Sequence, residues 1–275
     1  NLIFGQFRRL ELSWRKAGLW TVHIGMALLF IGEFATALFS VESAMSIEEG
    51  QTRSHSEDSR RMEVAVVDDT DKEFDDERGI PDSLLKSRRE ISDASLPFKL
   101  VVHTYHDNAA LSMRGPGALS IVTAGVGLGM SFQPLAPVAG DDEQNTAVAV
   151  VEPVLLDGRS LGVYLLSNAL GAPQGFIHEG RSWTLALRRR RYRHPFSLTL
   201  KDFRHDVYPG TDIPKNFSSL VRLKDPRAGD DRDVLIYMNS PLRHGGLTFY
   251  QASFGKNDTL SVLQVVRNPS WTLPY

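Results

Sequence analysis

One long apolar stretch, residues 17–41, constrains the fold of this chain more than any other feature of its sequence. Within AGLWTVHIGMALLFIGEFATALFSV, only His23 and Glu33 are ionisable. As a helix rising 1.5 Å per residue, the stretch is about 37 Å long, which exceeds the roughly 30 Å hydrocarbon core of a membrane. The apolar region of a signal peptide is shorter. The stretch therefore predicts a transmembrane helix, and a buried helix of a soluble protein is the alternative.

Charges on the two sides of this helix predict its orientation. Four basic residues precede it, whereas acidic residues follow it and the next basic residue is Arg53. Basic flanks stay in the cytoplasm. Residues 1–16 are therefore expected to be a cytoplasmic juxtamembrane segment, and everything after residues 17–41 to be extracytoplasmic. The four basic residues are Arg8, Arg9, Arg15 and Lys16.

The predicted helix has a stripe of small residues. Gly18, Gly25 and Gly32 recur every seven residues, which places them on one face. Small residues let another helix approach closely, so the stripe predicts helix packing. The alternative is that glycine is simply frequent in membrane helices.

Two ionisable side chains within an apolar helix need a physical explanation. Such groups are costly in a membrane and usually face a protein interior or a cavity. His23 offers an imidazole nitrogen, which is a good ligand for haem iron. The alternatives are a hydrogen bond to another helix or a place near the headgroups. Glu33 is expected to be protonated or paired with a base on another helix.

The rest of the chain has the pattern of a β protein. Residues 42–95 are polar and acidic, and a connector of loop, short helix and one strand near Met62–Val67 is expected there. From residue 96 to 275, short alternating runs are separated by Gly, Pro, Asp and Asn. This predicts a mainly β fold, an antiparallel sandwich or open-barrel-like domain with irregular insertions. The predicted strands are 98–105, 146–153, 161–166, 183–187, 196–203, 218–223, 233–238, 247–254 and 259–266.

Composition excludes several classes of function. The chain has no Cys, so disulfides, Cys-ligated zinc, iron–sulfur clusters and haem attachment to its own thiols are excluded. A net charge of -2 argues against binding nucleic acid. His103 and His106 lie in a predicted strand, where a spacing of three points them to opposite faces. The basic run Arg188 to Arg191, with Arg193, is expected to be a solvated strand end, or to contact lipid headgroups, haem propionates or an acidic partner.

The C-terminal third holds the most specific motifs. In order they are DF from Asp202, YPGT from Tyr208, PKNFSS from Pro214, MNSPLRHGG from Met238, TFYQASF from Thr248 and LQVVRNP from Leu263. This order resembles the extracytoplasmic domain of the ResB family, also called CcsB, over about residues 194–275. The helix containing His23-Ile-Gly25 and leading to IEEGQT is similar to the membrane helix that enters that domain.

The resemblance implies a role in cytochrome c biogenesis. ResB-type proteins form one half of a bacterial inner-membrane complex that moves reduced haem outward and attaches it to apocytochrome c. The resemblance implies haem b as cofactor, and a polytopic ResC/CcsA-like protein, apocytochrome c and membrane lipid as partners. His23 matches the family's membrane histidine, which implies an axial ligand of haem iron. The chain itself is expected to be a non-catalytic subunit, with further membrane helices before Asn1 and after Tyr275.

Two other classes of function compete with this interpretation. One is a membrane-anchored β domain that binds proteins or envelope components without a cofactor. It predicts no haem and tolerance of His23→Ala. The other is a single-pass sensor, although the N-terminal flank shows no signalling domain.

Overall fold

The computed structural model describes residues 14–71, 74–115, 120–138, 144–210, 214–255 and 259–268. Over these residues the chain is mainly β, with one long N-terminal helix, so the predicted fold class is confirmed. The predicted division into 1–16, 17–41, 42–95 and 96–275 concerns membrane topology and stays a prediction. Arg8 and Arg9, and the end of the last ResB-like motif from Pro269 onward, lie outside the described residues.

Helix α1 comprises Ala17–Phe39 and follows a single 3-10 turn at Trp14–Lys16. Within it only Gly32 is buried, and its apolar side chains are exposed on most sides. The run 14–39 is long and apolar enough to cross a membrane. Apolar side chains around most of a helix suit lipid as solvent, because a soluble surface helix keeps a polar face. The helix ends where the Ser40 N–H donates to the Thr36 carbonyl, 2.9 Å away.

The chain divides into two compact units. Unit 1 contains residues 1–56 and 193–275, and unit 2 contains residues 57–192. Both boundaries fall within long strands, β2 (Thr52–Asp68) and β11 (Arg181–Val207).

Unit 1 is an antiparallel β structure beyond the helix. Its strand pairs are β1 with β16, β16 with β15, β15 with β14, β11 with β12, and β12 with β13. Phe249, Leu198 and Leu263 are among the core side chains, all fully buried. The strands named here are β1 (Val41–Glu48), β12 (Pro214–Asp225), β13 (Asp230–Tyr237), β14 (Leu242–His244), β15 (Leu247–Gly255) and β16 (Leu260–Arg267).

Unit 2 has a core of its own. A four-stranded sheet has the order β4-β5-β8-β9, β6 pairs with β7, β3 pairs with β2, and β10 pairs with β11. Phe98, Leu100 and Leu185 belong to its main cluster. The elements are β3 (Asp76–Pro81), α2 (Asp82–Ser87), β4 (Glu90–Ile91), β5 (Phe98–His106), β6 (Ala109–Met113), β7 (Met130–Pro134), β8 (Val148–Leu155), β9 (Tyr164–Ser167) and β10 (Gln174–His178).

Eight of the nine predicted strand segments fall largely within an observed strand, whereas 161–166 overlaps β9 (Tyr164–Ser167) only over residues 164–166. The segments 183–187 and 196–203 are two parts of one 27-residue strand, β11. Residues 42–95 hold more regular structure than the single strand expected, because β1, β2, β3, β4 and α2 lie there. Several acidic residues of this segment are buried and paired rather than solvated. They are Asp58, Glu63 and Asp68.

Candidate functional site

His23 lies in the second turn of α1 and is half-buried. Its Nδ1 is 2.7 Å from the carbonyl oxygen of Leu19, one turn earlier. A carbonyl only accepts hydrogen bonds, so Nδ1 must carry the proton and donate it. The neutral imidazole then keeps its lone pair on Nε2. Among the described residues, none forms a hydrogen bond to that nitrogen.

This tautomer is the one that lets a histidine bind a metal through Nε2. A histidine ligand usually donates its second ring N–H to a carbonyl or carboxylate, which fixes the orientation of the ring. Here the carbonyl comes from the same helix, so α1 alone can hold the His23 ring. The donor chemistry therefore fits an axial ligand of haem iron.

The three glycines of α1 have different surroundings. A Cβ added at Gly18 or Gly25 would meet no atom within 4 Å, whereas Gly32 is buried. One turn after Gly32, Thr36 Oγ1 donates to the Gly32 carbonyl at 2.9 Å and accepts a hydrogen bond from Asn268 Nδ2 at 3.2 Å. The C-terminal part of α1 is thus joined to the end of β16 within unit 1. Helix packing at Gly18 and Gly25 stays a prediction.

A cluster of two histidines and two phenylalanines lies in the core of unit 1. The His194 ring stacks on Phe196 with 5.3 Å between centroids, and His244 meets the edge of Phe196 at 4.7 Å. Phe249 closes the cluster at 5.9 Å from Phe196. We call these four residues the histidine–phenylalanine cluster. Sequence reasoning missed it, because the members come from β11, β14 and β15 and no spacing connects them.

Both histidines of the cluster are held by polar partners. His244 Nε2 donates to Asp225 Oδ2 at 2.8 Å, and His194 Nε2 forms a 3.0 Å hydrogen bond with Ser56 Oγ. The hydrogen bond from His244 holds the pKa of the Asp225 carboxyl below its ordinary value. Burial lowers the pKa of His194, because a protonated imidazole would be poorly hydrated there. These hydrogen bonds join the strands that carry the cluster, and they occupy the Nε2 atom of each histidine.

A cavity of about 220 Å³ lies beside the cluster in unit 1. The β14–β15 hairpin forms one wall through Arg243, His244 and the turn Gly245-Gly246, and Asn268 also lines it. Because Asn268 also bonds to Thr36, the end of α1 lies next to this cavity. The first residue of this turn favours glycine, since Gly245 has φ +58° and a Cβ there would lie 3.2 Å from Phe196.

The basic run of β11 finds acidic partners within unit 2. Arg188 pairs with Glu63 at 2.9 Å and also with Glu77, and Arg191 pairs with Glu57 at 3.0 Å. Two members of the run are therefore satisfied by this chain's own acidic segment. The run is therefore not the solvated strand end that was expected, because its arginines pair with acidic residues of other strands.

Arg189 of the same run lines a second cavity. This cavity has a volume of about 330 Å³ and is largely polar. Arg60, Asp107, Asn145 and Asn168 also line it. Both amide side chains bond to backbone groups: Asn145 Nδ2 donates to Val138, and Asn168 Oδ1 accepts from Ala147.

His103 and His106, the histidine pair noted in the sequence, bond to different partners. His103 Nε2 lies 2.7 Å from Glu152 Oε2, and His106 Nε2 lies 2.9 Å from Thr104 Oγ1. The spacing predicted that the two rings point to opposite faces. In agreement, strand β5 does not bring them to one ligand.

Comparison with known proteins covers the same part of the chain as the motifs. Residues 161–271 match the ResB-like family. The resemblance predicted from the C-terminal motifs is thereby confirmed for this segment. All four members of the histidine–phenylalanine cluster lie within the ResB-like segment, whereas His23 lies outside it.

A curated relative supports the same assignment. An 81-residue stretch, 30% of this chain, is 35% identical to Protein NrfI of Wolinella succinogenes. The chain spans only 9% of the length of that relative. The matched stretch is thus one small part of a much larger protein in that organism.

Proposed function

We propose that this chain is a membrane-anchored subunit that holds reduced haem and supports its covalent attachment to apocytochrome c. The observation that carries the proposal is the ResB-like segment, 161–271, on a chain whose helix α1 is long enough to cross a membrane. The partial match to Protein NrfI agrees with a role in cytochrome c biogenesis.

His23 is the residue proposed to bind the haem iron. Its Nδ1–H is fixed by the Leu19 carbonyl, so Nε2 is the available ligand atom. Haem b, when bound, supplies the iron and the porphyrin that is to be attached to the cytochrome. The role of this chain is to orient a ligand nitrogen in an apolar environment, which excludes water from the iron.

The two β units are proposed to lie on the extracytoplasmic side of a bacterial inner membrane. The basic flank before α1 and the acidic stretch after it support this orientation. In this proposal a polytopic ResC/CcsA-like protein carries the attachment site, and the β units form a scaffold beside it. The described β units suit such a role, since His244, His194 and Arg188 bond to groups of the same chain.

An optical spectrum of the full-length protein, purified with its membrane partner, tests the proposal. The samples are wild type, His23→Ala and the control His103→Ala, whose imidazole lies on strand β5. A Soret band that is lost or shifted in His23→Ala, restored by added imidazole and unchanged in the control, is the expected result. Unchanged haem in His23→Ala would move the ligand elsewhere. Absence of haem from every sample, with the partner intact, would favour the cofactor-free scaffold.

A further inference from the structure

Glu33 is the ionisable side chain of α1 that the proposed function does not use. It is the seventeenth of the 23 residues of α1, and its side chain is exposed. Among the described residues, no group forms a hydrogen bond or ion pair with Glu33. Lys16 is about 25 Å away along the helix and His23 about 15 Å, at 1.5 Å per residue. The next basic residue in the sequence is Arg53.

Such a carboxyl is costly inside the hydrocarbon of a membrane. Acidic residues in membrane helices usually pair with another group or line a cavity. Glu33 lies about 9 Å from the end of α1 at Phe39, which places it within the apolar region. A neighbouring basic side chain would offset this cost more than lipid can.

The face of α1 around Glu33 differs from the face that contacts the β structure of unit 1. At 100° per residue, Gly32 projects about 100° from Glu33, and that side is joined to Asn268 through Thr36. Phe30 projects about 60° from Glu33 on the other side and Met26 about 20°. Phe30 is 66% exposed and Met26 38%, so this apolar face surrounds one acid and is uncovered.

We propose that the Glu33 face of α1 docks a transmembrane helix of another protein subunit, which presents a Lys, Arg or His at the level of Glu33. Charge complementarity decides the kind of partner, because an acid in a medium of low dielectric is stabilised by a basic neighbour. A second copy of this chain is disfavoured, since two Glu33 carboxylates would repel. The surrounding Phe30 and Met26 supply the apolar contacts of the docked helix.

Site-specific photocrosslinking in membranes tests the proposal. Benzoylphenylalanine is incorporated at Phe30, on the Glu33 face, and as a matched control at Ile31, about 160° from Glu33 and 54% exposed. We expect Phe30 to give a protein adduct larger than this chain, and Ile31 to give mainly lipid adducts.

Equal protein adducts at both positions, an adduct with twice the mass of the chain, a crosslink within the chain itself, or lipid adducts alone would overturn the proposal.

The charge requirement is tested on the same probe. Glu33→Lys should reduce the Phe30 adduct by about tenfold, since like charges would then meet in a medium of low dielectric. Glu33→Gln keeps size and hydrogen bonding and should reduce it less. Mass spectrometry of the adduct locates the basic residue of the partner helix, and its replacement by Glu should restore the adduct of Glu33→Lys. An adduct indifferent to Glu33→Lys would refute the charge pair. None of these readouts depends on haem, so they are independent of the outcome for His23.

Discussion

Burial of His194 contributes to the pH dependence of the stability of unit 1. The ring stacks on Phe196 and bonds to Ser56, and burial lowers its pKa below the ordinary value. The unfolded chain takes up a proton near pH 6.5, whereas folded unit 1 resists protonation until a lower pH. Stability is therefore fully present above about pH 6.5 and is lost as the pH falls through the folded pKa.

Replacing His194 by Gln should flatten this dependence. The amide cannot be protonated in this range, so the unfolding temperature of the variant should change less than that of wild type between about pH 7 and pH 5. Circular dichroism of the full chain in detergent measures both curves. A variant with the same slope as wild type would show that His194 does not carry the pH dependence.

The two glycines of the β14–β15 turn separate backbone strain from steric conflict. Both have positive φ, +58° at Gly245 and +75° at Gly246, but only a Cβ at Gly245 would press on Phe196. Gly246→Ala should lower the free energy of unfolding by about 1 kcal/mol, from strain alone. Gly245→Ala should cost about 2 kcal/mol or more, because the ring must also move. Equal losses in denaturant unfolding would contradict the close packing of Phe196.

At the scale of an element, strand β11 depends on the ion pairs of Arg188. Its side chain is 20% exposed, and its partner Glu63 is 6% exposed. Arg188→Met would leave the carboxylates of Glu63 and Glu77 buried without their cation. The expected loss of unfolding free energy is about 3 kcal/mol.

The next residue along the strand provides the control for this substitution. Arg189→Met removes a charge at a cavity wall and should change stability by about 0.5 kcal/mol or less. Thermal unfolding of the two variants, compared at one pH and salt concentration, gives the difference. Similar losses in both would show that general charge, and not the pairing of Arg188, stabilises β11.

The orientation of α1 can be measured with single cysteines, since the 275 residues contain none. Leu156 lies after β8 and is 86% exposed, and Trp14 lies before α1 and is 96% exposed. A membrane-impermeant maleimide should label Leu156→Cys in intact spheroplasts, and Trp14→Cys only after permeabilisation. The reverse pattern would overturn the predicted sidedness.

At the scale of the whole molecule, one strand contributes to two separate cores. Leu185 of β11 is buried in unit 2, and Leu200 of the same strand is buried in unit 1. Each truncation to Ala should cost about 2–5 kcal/mol. Hydrogen exchange should rise mainly among the amides of the unit that contains the substitution. A rise throughout both units after either substitution would show that they open as one.

The sequence was most informative where chemistry is local. Asn239 is of a residue type that favours turns, and it is observed with φ +65°. The Pro-Gly pair of the motif YPGT is typical of a turn, and Gly210 has φ +80° there. Such positions are predictable because a side chain or its absence selects the backbone conformation of its own residue.

The polar strands were less predictable. The first half of β2 (TRSHSEDSRR) has the composition of solvated loop, and it forms a strand because residues distant in sequence satisfy its charges. Asp58 accepts a hydrogen bond from Tyr192 at 2.7 Å, and Glu57 pairs with Arg191. The residue pattern within the segment does not predict these partners.

The sequence by itself determined the apolar helix α1, the antiparallel β character and the ResB-like assignment, because these depend on residue type and order along the chain. Only the tertiary structure decided which hydrogen-bond partner fixes the His23 tautomer, which acids hold the basic run of β11, and how His194, Phe196, His244 and Phe249 meet. The physical reason is distance along the chain. Burial, ion pairing and ring contacts join residues from different strands. The pattern along the sequence does not predict which strands become neighbours.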